Sequence, residues 1–305
     1  LFLLFRMLSG VHMKRLIIWI LLVIFLVVMG GILLVTYQQA DDLVHNPIEN
    51  RAPVKHQLKD FDLQVQEVVV RNPDGQKLHG YFSAGSNGAY VMLQHGFKTN
   101  RSYMFEEAKI LQDSGYGILL TGIRAHDLND GDELTMGVRE VEDLDTWYNY
   151  LIEAQSVGKG KVGIFGESMG GSIAIEYAAL NQDIAAVVAE SSFSSLQDTI
   201  NVSVEYYTGL PAFPFAPIIA LWAEIITGID IKQINATKAA AKLCNTPLFI
   251  MQGGQDTVVS VESGQWLYDA ACGDKELWFD EALGHVDFVT KKPDEFKRRV
   301  VGFFN

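Results

Sequence analysis

Between residues 161 and 180 the chain has little freedom of local structure. Lys161-Val-Gly-Ile-Phe-Gly-Glu-Ser-Met-Gly-Gly171 is a short β-branched and aromatic run that breaks at glycines, and the helical stretch SIAIEYAAL follows it to Leu180. A strand that turns into a helix with Gly166 and Gly170 on either side of Ser168 predicts a turn too tight for a flanking Cβ. The serine hydroxyl is then pushed clear of the backbone, where a nucleophile belongs. The alternative is a glycine turn with an incidental serine, so the case depends on partners elsewhere in the chain.

The surroundings supply a scaffold. Val65–Arg71 and Lys77–Phe82 flank Asn72-Pro-Asp-Gly75 and read as an antiparallel hairpin. Apolar runs of strand length then alternate with helical stretches: Tyr90–Gln94 and Tyr103–Asp113, Gly117–Thr121 and Val138–Glu153, Val162–Phe165 and Gly170–Leu180, then Ala185–Ala189. Leu248–Gln252 and Val261–Ala271, then Glu276–Phe279 and Pro293–Phe304, complete the series. Such alternation predicts an α/β domain over residues 65–305, with a mostly parallel sheet and helices on both faces. One connection is too long for the rhythm, and a helical insertion is expected over about 196–243. Its Tyr206, Tyr207, Phe213, Phe215 and Trp222 would line a substrate pocket if the insertion is a lid, and would be ordinary core if it is not.

The beginning of the chain follows another logic. Leu16–Tyr37 holds 22 residues without a charge, about 33 Å as a helix and enough for a bilayer's hydrocarbon core. Lys14 and Arg15 precede it, and Asp41, Asp42 and Glu49 follow. The positive-inside rule makes residues 1–15 cytoplasmic, 16–37 a signal anchor, 38–64 a juxtamembrane segment, and the rest extracytoplasmic. A cleaved signal is the alternative, though no small-x-small site follows the span. Met13 is a natural start, so Leu1–His12 is read as upstream sequence and left out of the fold.

After residue 40 the chain carries all 37 Asp and Glu against 21 Lys and Arg, a balance that repels nucleic acid. No Walker loop, His-Glu-x-x-His or Cys/His cluster occurs, and a metal enzyme is not expected. Cys244 and Cys272 are the two cysteines. A single bridge and two buried thiols both remain open.

A serine hydroxyl attacks only if a base takes its proton and a third group holds that base. On a strand-turn-helix scaffold the acid and histidine follow the serine on loops after later strands. Gly253-Gly-Gln-Asp256 and Glu281-Ala-Leu-Gly-His285 occupy those loops, giving Ser168, Asp256 and His285 as the catalytic set. Glu190 is the rival acid, and His95 and His126 are the rival bases. The Phe97 and Met169 backbone N–H groups are the expected oxyanion donors. Glu167, beside the nucleophile, reads as a solvated or arginine-paired side chain.

Taken together, His95-Gly-Phe97, Arg124-Ala-His-Asp127, Gly166-Glu-Ser-Met-Gly-Gly171, Glu190-Ser-Ser-Phe193, Gly253-Gly-Gln-Asp-Thr-Val-Val259 and Gly284-His285 resemble the α/β-hydrolase superfamily over roughly residues 65–305. The likeness is greatest to bacterial membrane-anchored esterases, lysophospholipases and dipeptidyl-peptidase-like hydrolases. The resemblance implies ester, thioester or amide hydrolysis through an acyl-enzyme, without metal or cofactor, on a small acyl ester or peptide-like substrate. Three departures from the family are Gly122, where relatives commonly have aspartate, Ala125, where they commonly have glycine, and Glu190, where many have aspartate. The expected function is a membrane-anchored serine esterase, with a peptidase or an inactive tethered binding protein as alternatives.

Overall fold

The computed structural model describes residues 2–305, with side chains from His12 onward. Eight strands form one sheet: β1 Gln66–Arg71, β2 Lys77–Ser83, β3 Tyr90–Gln94, β4 Gly117–Thr121, β5 Val162–Glu167, β6 Ile184–Glu190, β7 Leu248–Gly253 and β8 Lys275–Asp280. Their order is β1-β2-β4-β3-β5-β6-β7-β8. The β1–β2 hairpin is antiparallel and β2 pairs antiparallel with β4, while every other pairing is parallel.

Strand periodicity divides the core into two layers. Met92, Leu119, Ile164, Val187 and Ile250 face α3 (Glu140–Asn149), α4 (Met169–Leu180), α7 (Ala236–Ala240) and α8 (Ser263–Ala270). Their neighbours Val91, Leu93, Ile118, Phe165, Val188 and Phe249 face α2 (Phe105–Asp113), α9 (Phe288–Lys291) and α10 (Pro293–Phe304). Because both faces are covered, β4, β5 and β7 are buried along their whole length, and this is why they read as continuous apolar runs. Edge strand β1 has no fully buried residue.

The long connection holds α5 (Leu196–Thr208) and α6 (Ala212–Thr227), bent by 100° at their junction. Gly209 closes α5 at φ 67°, the left-handed stop that glycine adopts without steric cost. Cys244 and Cys272 are joined in a disulfide between the loop before β7 and the end of the following helical unit. Of the two readings open in the sequence, the structure has the bridge. The 28-residue separation corresponds to about 3–4 kcal/mol of lost chain entropy in the unfolded state.

Helix α1 runs from Phe2 to Val44, seven residues beyond the apolar stretch. The side chains of residues 1–11, and with them most of the segment read as upstream sequence, lie outside the described set. From Leu16 to Val28 every side chain of α1 is exposed, and then Ile32, Thr36, Ala40 and Val44 turn inward at four-residue spacing. That stripe packs on α6. Nor is the segment beyond α1 loose: Asn46 Nδ2 donates to the Ala125 carbonyl at 2.8 Å, and the Arg51 guanidinium donates to the carbonyls of Asp127, Asn129 and Gly131.

Candidate active site

Ser168 sits at the junction of β5 and α4 with φ 53° and ψ −121°. A non-glycine residue at positive φ is strained, and the neighbouring glycines make the strain possible. A Cβ at Gly166 would lie 2.5 Å from the Gly170 oxygen, and one at Gly170 would lie 2.2 Å from the Gln94 oxygen. The close approach at Gly170 brings the end of β3 against the start of α4. The Phe97 N–H lies in the loop after β3 and the Met169 N–H opens α4, and neither is used in a backbone hydrogen bond there. Donation from the Ser168 N–H to the Glu190 carbonyl, at 2.8 Å, pins the turn to the next strand.

Asp256 and His285 meet although 29 residues apart. Asp256 Oδ1 accepts from the N–H groups of Val258 and Val259, both at 2.9 Å, which leaves Oδ2 to accept from His285 Nδ1 at 2.8 Å. The glycines before the acid allow this, since a Cβ at Gly253 would strike the Gly284 oxygen at 2.4 Å. With Nδ1 committed to Asp256, Nε2 is the ring nitrogen available to act as a base. His285 and Ser168 line the same cavity, together with Phe97, Lys98, Glu167 and Tyr207. They share no direct hydrogen bond in this state, and catalytic contacts commonly tighten only with substrate bound.

The rival residues are placed elsewhere. His126 Nδ1 donates to the Arg124 carbonyl at 2.9 Å and its Nε2 accepts from the Lys98 N–H at 3.0 Å. His95 Nδ1 donates to the Gly96 carbonyl at 3.0 Å, and its ring stands 4.9 Å from that of His126. Burial lowers both pKa values, to about 4 for His95. These neutral rings brace the loop that carries Phe97. Glu190 lies under the histidine loop and accepts from the Phe288 N–H at 3.2 Å rather than from the imidazole.

Glu167 is neither solvated nor arginine-paired. It is 5% exposed and lies with Glu107 and Glu190 in a buried carboxyl cluster, in which each residue has an oxygen without a partner. Desolvation, reinforced by the neighbouring carboxyls, raises the pKa of Glu107 to about 7, that of Glu190 to about 8, and that of Glu167 well above the ordinary value. Glu107 was not among the candidates read from the sequence. The signal was its place on the inward face of α2, one helical turn from Leu111. An unfolded glutamate releases its proton near pH 4.5, so above that the folded chain binds more protons and stability falls as pH rises. Below about pH 6.5 the buried histidines act in the opposite sense, because there the unfolded state binds their protons. Between pH 6.5 and 8 we expect the melting temperature to drop, by up to about 1.4 kcal/mol of stability per pH unit per carboxyl. The double variant Glu107→Gln/Glu190→Gln should reduce that slope in thermal melts without abolishing it, because burial also raises Glu167 and brings Glu176 to about 7, and a wild-type Tm that rises over the interval would contradict the assignment.

The aromatic candidates separate into two groups. Tyr207 lines both the cavity above and an apolar slit that also begins at Ser168, and Tyr206 lines the cavity. Phe213 is 84% exposed, Phe215 packs with the α1–α6 cluster, and Trp222 meets the Tyr37 ring of α1 at 5.4 Å. None of these three borders either space. Among the described residues, no group of His, Cys, Asp and Glu is arranged to hold a metal.

Comparison with known proteins agrees with this architecture. The family model for the alpha/beta hydrolase fold matches residues 90–218. The uncharacterized protein YqkD of Bacillus subtilis is 22% identical over 277 residues, 90% of each chain, and Rv2307c of Mycobacterium tuberculosis is 25% identical over 85% of each. Among solved structures, the Pyrococcus furiosus esterase Pf2001 superposes with a TM-score of 0.71 at 27% identity, covering 86% of this chain and 97% of the esterase. The sheet order and these similarities give the chain the alpha/beta hydrolase fold, and together with the strained serine turn they support hydrolase activity.

Proposed function

We propose that this protein is a serine hydrolase that cleaves carboxylic esters at the outer face of a membrane, to which α1 anchors it. The observation that carries the proposal is the Asp256–His285 hydrogen bond at the rim of a cavity that also holds the strained Ser168. His285 Nε2 takes the hydroxyl proton as Ser168 Oγ attacks the acyl carbon, and Asp256 holds the tautomer and stabilises the imidazolium. The Phe97 and Met169 N–H groups receive the developing oxyanion, a contact each worth about 3 kcal/mol in comparable sites. The imidazolium then protonates the departing alcohol, and water repeats the sequence on the acyl-enzyme. Likeness to an esterase favours an ester over other acyl substrates.

The location rests on two features. Lys14 and Arg15 precede the apolar span and the acidic chain follows it, as in a span with its N-terminus inside. The Cys244–Cys272 bridge suits an oxidising compartment. A panel of p-nitrophenyl esters and aminoacyl p-nitroanilides tests the ester assignment. We expect kcat/KM to be at least a hundredfold higher on the best ester, whereas higher values on the anilides would make the protein a peptidase.

A further inference from the structure

The apolar slit that starts at Ser168 leads to the membrane helix. Its walls are Met169 and Phe193 at the nucleophile, Val204 of α5, Ile219 and Ala223 of α6, and Leu43 and Val44 at the end of α1. As it stands its cavity volume is about 90 Å³, room for the first few carbons of a chain, so a longer chain needs the helices to part. An apolar space beside an attacking serine suits the start of a hydrocarbon chain, and α1 itself forms one wall.

The outer surface of α6 points the same way. Pro217, Leu221 and Ile225 recur every four residues on α6 and are all exposed, Leu221 and Ile225 by 55% and 60%, and Phe213, in the extended backbone just before them, is exposed as well. The single charge of α6, Glu224, accepts a hydrogen bond from the Ile231 N–H, which leaves the stripe uncharged. In water such a stripe is costly. Beside a membrane span it is not, and α6 packs directly on α1, with Trp222 level with Tyr37, the aromatic residue that closes the uncharged run. Tyr37 ends the uncharged run, where interfacial aromatics commonly sit, so with α1 across a bilayer the exposed stripe of α6 would run beside the leaflet in which α1 ends.

We propose that the substrate is a long-chain acyl ester lipid of the leaflet in which α1 ends, and that its chain slides between α1, α5 and α6 into the slit while α6 rests in that leaflet. The inference rests on the serine hydrolase reading of Ser168. The Ser168 Oγ–acyl bond forms as the ester C–O bond breaks, the alcohol leaves with the proton from His285, and water releases the fatty acid.

The test uses the full chain reconstituted in phosphatidylcholine vesicles. Hydrolysis of 4-methylumbelliferyl palmitate dissolved in the bilayer is measured against 4-methylumbelliferyl acetate in the water. Ala223→Trp, which fills the slit, should lower the palmitate-to-acetate rate ratio at least tenfold. Leu221→Asp/Ile225→Asp, which charges the outer stripe without touching the slit, should lower the ratio at least tenfold in vesicles relative to the same variant in detergent micelles. An unchanged vesicle ratio in the aspartate variant overturns entry from the leaflet, even if the slit variant responds. Failure of the wild type to hydrolyse either ester would instead count against the hydrolase reading. Should Ala223→Trp not fold, the aspartate pair decides.

Discussion

Replacing Ser168 with alanine should lower kcat on an acyl ester by a factor on the order of 10⁵–10⁶, with little change in KM. The reasoning is structural: the slit, the cavity and the backbone donors do not depend on the hydroxyl, so binding survives while the acyl-enzyme cannot form. Removing the hydroxyl also removes no buried hydrogen bond, and the φ of 53° is no harder for alanine than for serine. The melting temperature should therefore move by only a few degrees. A fall in activity without a fall in stability separates a nucleophile from a turn residue, and steady-state kinetics alongside thermal melts reads both.

Asp256→Asn should cost about 10⁴ in kcat, and the local hydrogen bonds show why. The Val258 and Val259 N–H groups both donate to one carboxylate oxygen, so an asparagine must place its carbonyl there. Its NH₂ group then faces His285 Nδ1, which has to accept rather than donate. The ring proton moves to Nε2, and the imidazole can no longer take a proton from Ser168. Glu190→Gln, by contrast, should reduce kcat less than tenfold, since Glu190 supports the Phe288 N–H and does not touch the ring. If the two variants exchanged these effects, Glu190 would be the orienting acid.

Most of the sheet was legible because its strands are buried on both faces and bounded by turn residues. Tyr90–Gln94, Gly117–Thr121 and Pro293–Phe304 have the same limits in sequence and structure. The loops that carry Ser168, Asp256 and His285 were placed from order alone, as glycines mark each of them. What stayed hidden depends on tertiary packing. Glu167 stands next to Ser168 in sequence, yet only the fold reveals that Glu107 from α2 and Glu190 from β6 surround it. The end of α1 was read as the start of a polar linker because Gln38, Gln39, Asp41 and Asp42 are polar. Its inward stripe of Thr36, Ala40 and Val44 could not be separated from chance without α6 opposite. Aromatic content alone likewise did not distinguish Tyr207 beside Ser168 from Trp222 against α1.

The central claim is that Ser168 attacks an acyl carbon with His285 as its base. Intact-protein mass spectrometry after treatment with a fluorophosphonate tests this most directly, because that reagent captures a serine only when its hydroxyl is activated. One adduct on the wild type, mapped to Ser168 and lost in both Ser168→Ala and His285→Ala, is the predicted result. An adduct that persists in Ser168→Ala, or a wild type that takes up none, would contradict it.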